Sequence, residues 1–136
     1  MNVLVTGGAG YIGSHTAKAL AKTGYHPVVL DNLSMGHAAN VRWGPLVQAD
    51  LSDTEAIRNV FQVHKIDAVI HFAGSAFAGE SMQCPRRYFR NNSVNTCNLL
   101  DAMADHGVRR LIFSSTCATY GDPERIPMAE DHPQRP

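Results

Sequence analysis

Short apolar runs alternate with stretches of helical periodicity along this chain. Residues 3–6, 27–31, 46–50, 68–72 and 110–114 are brief, nearly continuous apolar or β-branched runs. That is the pattern of strands buried on both faces. A helix is expected over residues 11–23, with Ile12, Ala19 and Leu20 as its apolar face and Gly24 as its stop. A second is expected over residues 54–64, capped by Ser52 or Asp53. A third runs from about residue 92 to 106, carries Leu99, Leu100 and Met103 at helical spacing, and ends at Gly107. Residues 32–45 give only a weak helical pattern, and the proline-rich tail from Asp122 reads as loop. Strands alternating with helical connections predict an α/β fold, a parallel sheet of about five strands with helices on both faces. No internal repeat or linker divides the chain, so residues 1–136 read as one domain.

The first strand runs into a glycine cluster that opens the first helix. Gly8-Ala9-Gly10-Tyr11-Ile12-Gly13 matches G-x-G-x-x-G, and from Gly7 the same stretch reads G-x-x-G-x-x-G. In this context the pattern has a physical purpose. One glycine makes the tight turn, one lets backbone approach a pyrophosphate, and one lets helix pack closely on strand. The anion then sits on free N–H groups at the positive end of the helix. Gly7, Gly10 and Gly13, with Tyr11 and Ile12 at the start of the helix, are therefore candidate cofactor contacts in a Rossmann-type doubly wound sheet. Asp31 ends the second strand, 31 − 13 = 18 residues after the last glycine. A carboxylate there accepts hydrogen bonds from a ribose 2′-hydroxyl and repels a 2′-phosphate. No Arg or Lys lies between Asn32, the next candidate, and Val41. NAD is favoured over NADP. Asp50, with Leu51, ends the third run and is a candidate adenine contact or a helix cap. Phe72, Ala73 and Gly74 follow the fourth strand, small enough at Ala73 and Gly74 for backbone to pass close to a cofactor.

Composition narrows the class. The chain has 136 residues, 44% apolar and 18% charged, with 12 basic and 12 acidic side chains. Such a chain has enough apolar content to fold, and no basic excess to neutralise nucleic acid or an anionic membrane. Arg86, Arg87 and Arg90 read as a solvated helix face. No run approaches the roughly 20 apolar residues of a membrane span, and no leader pattern opens the chain. Cys84, Cys97 and Cys117 are odd in number and suggest neither a disulfide framework nor a metal knuckle. The histidines show no metal-ligand pairing. A cytoplasmic protein without a metal is expected.

Several segments together resemble the extended short-chain dehydrogenases/reductases, and among them the UDP-glucose (UDP-galactose) 4-epimerases. They are Thr6-Gly7-Gly8-Ala9-Gly10-Tyr11-Ile12-Gly13-Ser14-His15, Asp31-Asn32-Leu33, His71-Phe72-Ala73-Gly74, Gly79-Glu80-Ser81, Asn91-Asn92, and Ser114-Ser115-Thr116-Cys117-Ala118-Thr119-Tyr120-Gly121. The resemblance spans the chain, and the last segment is also similar to plant-type UDP-arabinose 4-epimerases. It implies that NAD takes a hydride from C4 of a UDP-sugar and returns it to the other face of the 4-keto sugar. It implies Thr116 as the residue bonding the sugar hydroxyl, Asn91 as a cofactor contact and Ser114 as a cofactor or substrate contact. A helix cap is the other reading of Asn91, and a local backbone contact that of Thr116. The lysine that some epimerases carry two residues after the glycine matching Gly74 is replaced here by Ala76.

The resemblance also implies a Tyr-x-x-x-Lys base pair. Tyr11, Tyr25, Tyr88 and Tyr120 are followed four residues later by His15, Val29, Asn92 and Glu124. The chain therefore reads as the N-terminal cofactor-binding part of an epimerase, with Tyr and Lys expected beyond Pro136 along with the sugar-binding domain. The full-length enzyme would be a homodimer. A non-catalytic NAD-binding module and another nucleotide-sugar enzyme, such as a dehydratase, are the alternatives.

Overall fold

Five parallel strands in the order β3-β2-β1-β4-β5 form the sheet in the computed structural model, which describes residues 1–136. The strands are β1 (Asn2–Thr6), β2 (His26–Asp31), β3 (Leu46–Gln48), β4 (Ala68–His71) and β5 (Leu111–Phe113). Chain order reverses at β1, which pairs with β2 on one side and β4 on the other. The crevice between β1 and β4 is the switch point where ligands bind in doubly wound sheets.

The helices are α1 (Tyr11–Lys22), α2 (Thr54–His64), α3 (Ala78–Gln83), α4 (Pro85–Phe89) and α5 (Asn95–Asp105). Asp53 caps α2 by accepting the Ala56 N–H at 3.0 Å. α1 ends before Gly24, whose φ of +85° only glycine adopts freely. Along β1, Leu4 faces α2 and α5, and a core of Leu4, Leu30, Val69, Ile57, Phe61, Leu99 and Met103 closes that side. Each fully buried Leu or Ile there contributes about 1.5–3 kcal/mol of transfer free energy. Leu100, expected on the buried face of α5, points to solvent.

The opposite face reverses one expectation. α1 buries Gly13 and Ala17 against the sheet, while Ile12 is 61% exposed and Ala19 also faces out. The helix rides so close to β1 and β2 that only small residues fit beneath it. Helical cover on this face stops there, and Ile112 on β5 is 63% exposed. β3 is also shorter than its apolar run, so Asp50 lies past the strand rather than at its end.

Residues 78–89 show no clear period in sequence, yet they form α3 and α4. The two meet at Cys84, where Glu80 accepts from Arg87 at 2.7 Å and from the Tyr88 hydroxyl at 2.6 Å. Between α4 and α5 the chain makes a π-helical turn over Arg90–Val94. The helix predicted from residue 92 thus begins at Pro85, and its interior carries a wide turn, a feature frequent at functional sites.

Candidate functional site

The carboxyl ends of the strands carry one connected row of polar contacts. At its centre is the glycine turn. Gly7 has φ +68°, and a Cβ there would lie 2.7 Å from the Ala73 nitrogen. A Cβ on Gly13 would press into the Gly7 carbonyl and lie 2.7 Å from the Gly8 Cα. Gly10 is different: at φ −76° its nearest neighbour would be the Gly7 oxygen, 3.3 Å away. Gly7 and Gly13 are thus required by the protein's own packing, whereas the open side of Gly10 leaves room for something else. Gly10 caps α1 without a side-chain acceptor, and no acid stands in the first turn. The N–H groups of Tyr11, Ile12 and Gly13 have no acceptor in the protein. A helix end with such free donors can receive an anion. The Tyr11 and Ile12 side chains are exposed above it.

Asp31 lies beside this turn and is 8% exposed. One carboxylate oxygen accepts the Ala9 N–H at 2.9 Å and the other the Leu33 N–H at 2.8 Å. It holds the turn and keeps further lone pairs for a hydroxyl donor. Asn32 donates to Asp50 at 2.6 Å. Asp50 also accepts the Ser52 N–H at 2.8 Å. The bonds from Ser52 and Asn32 hold its pKa below the usual carboxylate value of 3.8. Asp50 is therefore not the cap of α2, a role that Asp53 fills, and it joins the ends of β2 and β3. The Leu51 side chain is buried in the core and its carbonyl accepts from Asn98 at 2.9 Å, so contact with a ligand is left to its remaining backbone.

On the other side of β1, the Phe72 N–H donates to the Thr6 carbonyl at 3.0 Å, carrying Phe72, Ala73 and Gly74 over the switch point. Ser114 follows β5, its N–H bonded to the His71 carbonyl at 3.0 Å. Thr116 is exposed and accepts the Ala118 N–H at 3.2 Å, capping a short 3-10 turn (Cys117–Tyr120). Its hydroxyl proton stays free to donate. Asn91, on the π-helical turn, reaches Ser75 at 3.0 Å. It joins the loop after β4 rather than capping a helix.

Sequence reasoning did not single out a role for His71. It is 3% exposed at the end of β4. Thr96 commits its hydroxyl proton to the Asn92 carbonyl at 2.7 Å, so it accepts from His71 Nε2 at 3.1 Å. His71 Nδ1 then accepts from Thr6 at 2.6 Å, and Thr6 accepts from the Ala73 N–H at 3.4 Å. Burial lowers the His71 pKa below 6.5 and keeps the ring neutral. The signal was a histidine inside an apolar strand. The three cysteines are free, and no group of His, Cys, Asp or Glu side chains is arranged to hold a metal. A cavity of about 310 Å³ beside Tyr25, His26 and Trp43 lies where β2 begins, at the opposite end of the sheet from these groups.

Similarity to known proteins agrees with this geometry. The UDP-glucose 4-epimerase of Rhizobium meliloti is 49% identical over 99% of this chain, which spans 41% of that protein. UDP-arabinose 4-epimerase 1 of Arabidopsis thaliana is also 49% identical over 99% of the chain, which spans 35% of it. Among solved structures, the Brucella ovis UDP-glucose 4-epimerase in complex with NAD is 52% identical and superposes with a TM-score of 0.86, covering 99% of this chain and 42% of that one. The Stenotrophomonas maltophila enzyme with bound NAD and formylated UDP-arabinopyranose is 41% identical, with a TM-score of 0.86 and coverage of 99% and 43%. The chain thus spans well under half the length of these relatives. Residues 3–136 match the NAD dependent epimerase/dehydratase family. With that match over nearly the whole chain, and with its own sheet superposing on these enzymes, the chain belongs to the NAD dependent epimerase/dehydratase family.

Proposed function

We propose that these 136 residues are the cofactor-binding part of a UDP-sugar 4-epimerase. The observation that carries the reading is the α1 end, with three unclaimed N–H groups next to Asp31. The residues fit NAD: Gly10 leaves backbone open to a pyrophosphate, and Asp31 keeps lone pairs for a ribose hydroxyl. NAD supplies the removal and return of one hydride at C4 of the sugar. Around it, Asn32 and Asp50 border the adenine side, and Phe72, Ala73, Gly74 and Asn91 the nicotinamide side. Ser114 and Thr116 lie by the sugar, where the Thr116 hydroxyl donates to the sugar oxygen.

The base of the reaction is assigned to a Tyr-x-x-x-Lys pair outside residues 1–136, with a sugar-binding domain beside it. The substrate is a UDP-hexose, glucose or galactose. A UDP-pentose is the second reading, favoured by the identity of 49% with the plant UDP-arabinose enzyme. The full-length enzyme is placed in the cytoplasm, in galactose metabolism, as a homodimer. Three free thiols support the cytoplasm, and the exposed apolar side chains of Phe89, Val94 and Leu100 support the dimer. No helix is long and apolar enough to cross a membrane.

Calorimetric titration of the chain with NAD and NADP tests the reading. NAD is expected to bind more tightly, and equal or tighter NADP binding would overturn it. UDP-galactose should not be converted by these residues alone, because a missing general base typically costs about 10²–10⁴-fold. Robust turnover by the purified chain would place the base among the residues present, with Tyr120 the first to mutate.

A further inference from the structure

The π-helical turn brings two adjacent side chains, Asn91 and Asn92, onto the same loop after β4. Asn92 Oδ1 accepts the Ser75 main-chain N–H at 2.8 Å, and its Nδ2 donates to the Ser75 carbonyl at 2.9 Å. A main-chain N–H only donates and a carbonyl only accepts, so this pair of bonds fixes the Asn92 amide in one orientation. Its Oδ1 then accepts a second bond, from Asn91 Nδ2, at 3.0 Å. The same Asn91 nitrogen donates to the Ser75 hydroxyl at 3.0 Å. Both Asn91 amide protons are thereby used, and Asn91 Oδ1 has no partner in the protein. The chain of constraint runs from the Ser75 backbone, through Asn92, to the face that Asn91 presents.

The same helix braces the other half of the site. Asn98 on α5 holds the Leu51 carbonyl at 2.9 Å, and Asn95 reaches Asp50 at 3.5 Å. In a sheet that reverses order at β1, the two halves of a dinucleotide lie on opposite sides of that strand. Asn98 thus serves the side of β2 and β3, and Asn92 the side of β4 and β5.

We infer that Asn92 is a positioning residue for the nicotinamide half of the dinucleotide: it pins the loop after β4 and turns the Asn91 amide so that a hydrogen-bond acceptor faces the cofactor. The ligand group received there is a donor, a carboxamide N–H or a ribose hydroxyl. This inference rests on the NAD reading above.

Calorimetry of the 136-residue chain with NAD and with ADP separates the two halves. Asn92→Ala is expected to weaken NAD about tenfold, the size of one lost hydrogen-bond contribution, and to leave ADP within about twofold. Asn98→Ala is expected to weaken both ligands alike. Asn92→Asp keeps the acceptor toward Ser75 and Asn91, loses the donor and adds a negative charge; that charge acts on NAD and ADP alike, so its ratio of NAD to ADP affinity should fall between those of wild type and Asn92→Ala. It carries the test if Asn92→Ala does not fold. In amide spectra of the unliganded protein, Asn92→Ala should shift one of the two Asn91 side-chain protons upfield. Equal loss of NAD and ADP in Asn92→Ala, or unchanged NAD affinity, overturns the inference and leaves the NAD reading standing. Failure of the wild-type chain to bind NAD overturns both.

Discussion

The Asp31 carboxylate accepts the Ala9 main-chain N–H at 2.9 Å, so the acid that ends β2 is also the clasp of the glycine turn. The side chain shapes the glycine turn, and the proposed function gives it a second role, the selection of a ribose. Asp31, itself 8% exposed, is the acceptor for the Ala9 and Leu33 N–H groups, and Asp31→Ala leaves both without it. The change should cost about 1–3 kcal/mol of stability. It should also weaken NAD by roughly 10–100-fold, a comparable free energy. Thermal unfolding and calorimetry on the same sample read the two effects, and unchanged NAD affinity would remove Asp31 from the site.

The glycines of the turn are expected to separate by assay. A methyl at Gly13 meets backbone that cannot move aside. Gly13→Ala should therefore lower stability by about 1–3 kcal/mol or more through overpacking. Gly10→Ala meets only the Gly7 oxygen at 3.3 Å and keeps an ordinary φ. Its unfolding midpoint should stay close to wild type while NAD affinity falls, because the added methyl occupies the approach to the pyrophosphate. The reverse pattern would exchange the roles given to these residues.

His71 makes stability depend on pH with a definite sign. Its folded pKa is lowered by burial from 6.5, so between the folded and unfolded values the unfolded chain binds more protons. Stability from this group is then complete above the unfolded value and is lost as pH falls below it, at up to about 1.4 kcal/mol per pH unit. The loss levels off once pH passes the folded pKa. Urea unfolding of wild type and His71→Gln between pH 5 and 8, the range in which histidine charges, should show this slope in wild type and a flatter one in the variant. Parallel profiles would mean that His71 charges freely in the fold.

β5 pairs only with β4, and Ile112 and Phe113 are 63% and 56% exposed. An open apolar edge is a template for another chain. The 136-residue protein should self-associate at micromolar concentration, and Ile112→Lys should reduce the association. Sedimentation velocity reads both, and a monodisperse wild-type monomer would count against the edge as the cause.

Local patterns in the chain were sufficient for much of this molecule. The alternation of apolar runs with 3.6-residue periods marked β1 through β5, α1, α2 and α5. The glycine spacing and Asp31 located the turn that opens α1, because such turns are built from consecutive residues whose steric needs are visible in composition. Helix α3 escaped because its few apolar positions are exposed and leave no period, and α4 was marked only by Arg86 and Arg87 on its solvated face. Ile12 was misplaced because a close helix-to-strand contact selects small residues, and a hydrophobicity pattern has no measure of distance. The bonds from His71 to Thr6 and Thr96, from Asn32 to Asp50 and from Asn92 to Ser75 join residues 65, 25, 18 and 17 positions apart. Those partners are chosen by strand order and by the π-helical turn. A hydrogen bond depends on distance and direction between its two groups, and for remote residues these exist only once the sheet has assembled.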